Sequence, residues 1–142
     1  MNDYVKQIQK TSPKTKMLPT LLMAFVVGGI ICCIGEGFFD MYKTYFVDMS
    51  EAELRNATSM TMIFLGVTLT AFGIYDKIGY YAGAGSIIPI TGFANSVMSP
   101  AMEYNREGVI YGICSKMFVI AGPIIVFGVV SSVLIGLIGM AL

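Results

Sequence analysis

Charged residues divide the chain into uncharged runs at residues 17–35, 56–75, 78–102 and 117–142. A membrane-crossing helix needs about 20 apolar residues to span a hydrocarbon core of roughly 30 Å. The first run fits one such helix, predicted over Leu18–Phe39, with Pro19 tolerated in its first turn. The second opens on Ser50-Glu51-Ala52-Glu53, an S-x-x-E capping box whose acids suit the helix dipole, and is predicted to run to about Tyr75. Tyr80 and Tyr81 follow as interface anchors.

The third run breaks the pattern. Gly83, Gly85, Pro89, Gly92 and Pro100 prevent a plain 25-residue helix. Ser86 reads as an N-cap with Pro89 in the first turn, which predicts a helix over Ile87–Ser99. Such a helix is only about 20 Å long, too short to span. Two arrangements stay open. Either an unwound Tyr81–Gly85 lead-in enters the membrane and the short helix completes the crossing, or the whole piece is re-entrant. The last segment, Gly108–Leu142, would be about 52 Å as one helix, so a break is expected at Gly122-Pro123. Gly128, Gly136 and Gly139 suit close helix contacts.

Composition places these runs in a class. Mean hydropathy is +0.74, and only 13% of the 142 residues are charged, about half the usual share of a soluble domain. The expectation is an all-α integral membrane protein with three to four hydrophobic passes and a broken or re-entrant helix around 83–99. A basic cytoplasmic segment, 1–16, precedes one transmembrane domain, 17–142. Net charge is zero, so nothing argues for nucleic acid. Histidine is absent, which removes the commonest general base and metal ligand and argues against metal catalysis or a histidine-based triad; no metal site and no cofactor are expected. Cys32, Cys33 and Cys114 read as buried small hydrophobes. Four lysines in the first 16 residues, against five acids and two bases over 36–55, put the N-terminus in the cytoplasm.

Two constellations carry candidate chemistry. Broken backbone at membrane depth is tolerated only inside protein or along a water-filled cavity, and transporters use half-helix ends there to hold anions. Gly83 and Gly85 would let backbone approach closely, while Ser86, Thr91 and Asn95 would supply neutral donors and acceptors; packing alone is the competing reading. Glu103, Arg106, Glu107 and Lys116 form the second group, as a charged gate or a partner contact. An interfacial turn with weak ion pairs is the plainer reading for the first three. Lys116 sits in an apolar helix, where charge is costly unless paired or wet. The Glu103/Glu107 pair looks too peripheral for an enzyme.

The stretch "GAGSIIPITGFANSVMSPAMEYNREG" followed by "GICSKMFVIAGPIIVFG" resembles the AC/AE membrane-protein family of stage V sporulation, over about residues 17–142. Length and the basic N-terminus are more similar to the AC type than to the shorter AE type. The resemblance implies a channel or transport subunit in the spore inner membrane of an endospore former. It would move dipicolinic acid with calcium, and small solutes, in spore formation and germination, with mechanosensitive behaviour. It also implies sister subunits, an AE-type membrane protein and a soluble AD-type protein, in a homo- or hetero-oligomer. A helix end capped by Ser86, with Lys116 nearby, would suit the dipicolinate dianion. The rival expectation is a membrane scaffold that only docks partners.

Overall fold

The computed structural model describes residues 16–141, and every described element is helical. Helix α1 (Met17–Tyr45) continues past the predicted Phe39 because Glu36, Asp40 and Lys43 interrupt the apolar run without breaking helical backbone. The capping box forms as predicted at the start of α2 (Glu51–Ala71). The Ser50 amide donates to Glu53 Oε2 at 2.8 Å, and the Glu53 amide donates to Ser50 Oγ at 3.4 Å. Helix α2 stops short of Tyr75, because Gly73 takes a positive φ of 66°. The chain then bends by 99° into α3 (Tyr75–Ala82).

The broken stretch differs from its prediction in three ways. Residues Tyr81 and Ala82 are helical rather than unwound, and within the Tyr81–Gly85 lead-in the discontinuity is confined to Gly83, with φ 51° and ψ −125°. One helical turn follows, α4 (Ala84–Ile87), with Ser86 inside it, so Ser86 is not an N-cap. Pro89 caps α5 (Ile90–Glu103) instead. Proline's fixed φ suits the extended backbone there, while Ile88 before it keeps helical geometry at φ −69° and ψ −43°, so the break falls at Pro89 itself. Beyond α5 lie a 3-10 turn (Tyr104–Glu107), a π-helical turn (Val109–Cys114) and α6 (Ser115–Ala141). The expected interruption at Gly122-Pro123 is absent; α6 runs through it, and the irregular turn is Val109–Cys114.

Helix α2 packs most extensively on α5, while α1 lies against α2, α3 and α4. Small residues permit these approaches. A Cβ on Gly66 would sit 2.9 Å from the Thr91 carbonyl oxygen, and one on Gly85 would overlap the Ala24 carbonyl of α1. Helix α6 doubles back along α5. Ile113 shares a cavity with Met98, Ala101, Met102 and Asn105; Met117 and Ala121 share another with Ala94 and Val97. From Pro123 to Met140 every residue of α6 is exposed on this chain. Gly128, Gly136 and Gly139 have open space where a Cβ would be, so they make no close helix contact among the described residues. Cys32 and Cys33 are exposed and Cys114 half-buried, correcting the expectation of buried thiols. Tyr80 and Tyr81 point outward, stacked edge to face at 5.2 Å. Helix α1 and the run Val109–Met140 are each long and apolar enough to cross a membrane, and α2 with α3 forms a bent pair.

Candidate functional site

Gly85 packs on Ala24, seven residues after the start of α1. At helical rise that is about 10 Å along the first membrane-crossing helix. The corner formed by α3, α4 and α5 therefore lies beside a spanning helix rather than outside it. A hydrogen-bond network holds the corner. Tyr75, 3% exposed, donates its phenol proton to the Ser86 carbonyl at 2.8 Å. That proton is then committed, so the Thr91 hydroxyl, 2.8 Å away, donates to the Tyr75 oxygen. The Ser86 hydroxyl donates to the Gly83 carbonyl at 3.1 Å. Ser86, Thr91 and Tyr75 are all buried, and no buried side-chain polar atom among the described residues lacks a partner. One phenol thus ties α3 to both α4 and α5 across the break.

A second link joins α2 to α5. Thr70 Oγ1 lies 2.7 Å from the Gly66 carbonyl and 2.8 Å from Asn95 Oδ1. A hydroxyl has one proton and both neighbours are acceptors, so one contact lacks a proton as placed. Turning the Asn95 amide end for end supplies it: Nδ2 donates to Thr70, and Thr70 donates to Gly66.

Beside this network is a cleft of about 420 Å³ lined by Tyr75, Asp76, Gly79, Ser86, Ile87, Gly92, Asn95 and Ser96. The structure thus brings Gly83, Gly85, Ser86, Pro89, Thr91, Gly92 and Asn95 to one corner but gives them different tasks. Ser86, Gly92 and Asn95 face the cleft. Thr91 serves the Tyr75 link, Gly83 makes the turn and Pro89 starts α5. Gly85 was expected to let backbone approach a solute; its missing Cβ is filled by α1 instead. Gly92 has the same packing task, since a Cβ there would overlap the Ser86 carbonyl.

Glu103, Arg106, Glu107 and Lys116 lie at the opposite end of α5, about 20 Å away by helical rise. Lys116 is therefore not near Ser86, and the combined anion site expected from those two residues does not form. Glu103, Arg106 and Glu107 are exposed, and none of them forms an ion pair; among described residues the ion pair is Arg55–Glu51, at 3.1 Å. Lys116 Nζ sits 3.8 Å from the centre of the Tyr104 ring. The ring face offsets part of the cost of holding an ammonium in an apolar helix.

Sequence reasoning missed Tyr75, Asp76 and Thr70. From the sequence Tyr75 is the end of α2, and Asp76 with Lys77 marks where that helix returns to the cytoplasmic side. Only the bend at Gly73 turns both back toward α5. The i+3 spacing of Gly83 to Ser86 was the one local signal available, since it fits a hydroxyl returning to a nearby carbonyl.

A family model described as SpoVAC/SpoVAEB sporulation membrane protein matches residues 20–138. Stage V sporulation protein AC of Bacillus subtilis (strain 168) is 45% identical over 139 residues, covering 98% of this chain and 92% of that protein. No solved structure gives a significant match. A match over nearly the whole chain spans the spanning helices and the broken corner alike, so the chain belongs to the SpoVAC/SpoVAEB family of sporulation membrane proteins.

Proposed function

We propose that the chain is a channel or transport subunit of the spore inner membrane, passing dipicolinic acid with calcium, and small solutes, in spore formation and germination. Mechanosensitive gating belongs to the same reading. Its partners are the bilayer, an AE-type membrane subunit and a soluble AD-type subunit, with the N-terminus in the cytoplasm and no catalytic step. The observation that carries it is the cleft at the Gly83–Pro89 break, whose mostly apolar wall carries the Asp76 carboxylate and the Asn95 amide, set about 10 Å along α1 by the Gly85–Ala24 contact. A purely structural helix kink has no need of a cleft that size lined by a carboxylate, an amide and two serines.

One observation favours a second reading, a docking scaffold with the pore elsewhere. Residues Pro123–Met140 of α6 are exposed among the described residues, so part of that helix is free to meet sister subunits. Vesicles holding the sister subunits with and without this chain separate the two. The transport reading expects dipicolinate release with the chain present, and release lost when a Trp replaces Ser96 on the cleft wall while subunit assembly persists. Release unchanged by Ser96→Trp favours the scaffold.

A further inference from the structure

A second cleft, of about 420 Å³, lies between α1 and α2 at the end away from the broken corner. Its volume falls within the roughly 300–1,000 Å³ of small-molecule sites. Glu36 of α1 and Arg55 of α2 both line it, yet they do not pair with each other; among the described residues the partner of Arg55 is Glu51. Arg55 is held from two sides. Its Nη2 donates to Glu51 Oε1 at 3.1 Å, and its guanidinium carbon sits 5.1 Å from the centre of the Phe39 ring. Glu51 takes one of the five N–H donors of the guanidinium, so the rest of the fork is open to an acceptor in the cleft. Ser59 adds a hydroxyl to the same wall. The cleft thus offers a fixed cation and, apart from it, a carboxylate with no ion-pair partner among the described residues.

Glu36 lies 19 residues after Met17, about 28 Å along α1 by helical rise. That is close to the thickness of a hydrocarbon core, roughly 30 Å. Arg55 stands in the opening turns of α2, just after the loop that joins the two helices. Both charges therefore lie at the membrane boundary away from the start of α1, at the level of lipid headgroups. Phe25, Gly29 and Cys32 continue the Glu36 face of α1 toward the membrane centre, all exposed, as a track for hydrocarbon tails.

We propose that this cleft seats the headgroup of a phospholipid carrying a primary amine, of the phosphatidylethanolamine class. The Arg55 fork takes the phosphate, which guanidinium geometry matches, and Ser59 donates to it. The ammonium, with three N–H donors, goes to Glu36. Charge complementarity selects this class. An anionic lipid such as phosphatidylglycerol meets Arg55 but leaves Glu36 beside a further negative charge. A choline headgroup carries the positive charge without an N–H to donate. The site is separate from the corner cleft and its test reads lipid retention, so its failure leaves the transport reading standing.

The full chain in detergent is incubated with equal amounts of phosphatidylethanolamine, phosphatidylglycerol and phosphatidylcholine, and native mass spectrometry counts the lipid retained on the intact protein. Phosphatidylethanolamine is expected to be retained about threefold over either competitor, in line with one exposed ion pair. Glu36→Gln removes that preference, whereas Arg55→Gln lowers retention of all three lipids. Glu103→Gln, at an exposed carboxylate of α5, leaves the pattern unchanged. Glu36 and Arg55 are exposed, and thermal midpoints without lipid check that each variant folds. Equal retention of the three lipids by the wild type would overturn the proposal. So would a Glu36→Gln protein that keeps the preference, or equal losses from Glu36→Gln and Glu103→Gln.

Discussion

Tyr75→Phe uncouples the broken corner while keeping the aromatic ring that fills it. The substitution removes a phenol oxygen that donates to the Ser86 carbonyl and accepts from Thr91. Both orphaned groups belong to buried residues, Ser86 at 1% and Thr91 at 5% exposure. A buried group left without its partner costs about 1–3 kcal/mol, and two are stranded here. The expected result is a fall in the thermal midpoint of the purified protein and loss of dipicolinate release in the reconstituted complex. Tyr80→Phe provides the comparison: that phenol points outward and its removal leaves both readouts in place. A Tyr75→Phe protein with wild-type midpoint and release would show that the network does not hold the corner.

Gly85→Ala is the second large effect. Its Cβ would overlap the Ala24 carbonyl and lie 2.8 Å from the Ala24 Cα, both fixed backbone of α1. Overpacking of this kind costs about 1–3 kcal/mol, more where the obstacle is backbone that cannot rotate away. Gly29→Ala is the counterpart, since nothing lies within 4 Å of its Cβ direction. In a helix interior that change gains up to about 1 kcal/mol from alanine's propensity. Thermal midpoints in detergent should therefore move in opposite directions for two glycines on facing elements. Equal shifts would mean that α4 does not seat on α1.

The two substitutions mark how far the sequence could be read. The capping box at Ser50 and Glu53, and the span beginning near Met17, follow from local rules and appear as expected. The broken character of 83–99 was also legible, because glycines and prolines in an apolar run leave few alternatives. The tasks of its residues were not. Ser86 looked like a cap because it precedes Pro89 at the right spacing, yet it lies inside a single turn of helix and its hydroxyl returns to Gly83. Gly85 looked like an opening for solute, because nothing local reveals that α1 presents Ala24 there. Lys116 was drawn toward Ser86 by charge complementarity, but α5 separates them and Tyr104 receives the ammonium. The place of Tyr75 and Asp76 at the corner was not legible because the 99° bend after Ala71 decides where they point, and a bend angle is a tertiary outcome.

The central claim is that the cleft beside the Gly83–Pro89 break is a wetted part of the solute route. The most direct measurement is a thiol block. Cys32, Cys33 and Cys114 are replaced by alanine, Ser96 by cysteine, and dipicolinate release from vesicles holding the assembled complex is followed as a charged, water-soluble thiol reagent is added. Release is expected to stop, and the same vesicles with Ser96→Ala to be unaffected by the reagent. Continued release from vesicles in which the thiol introduced by Ser96→Cys is fully labelled would contradict it.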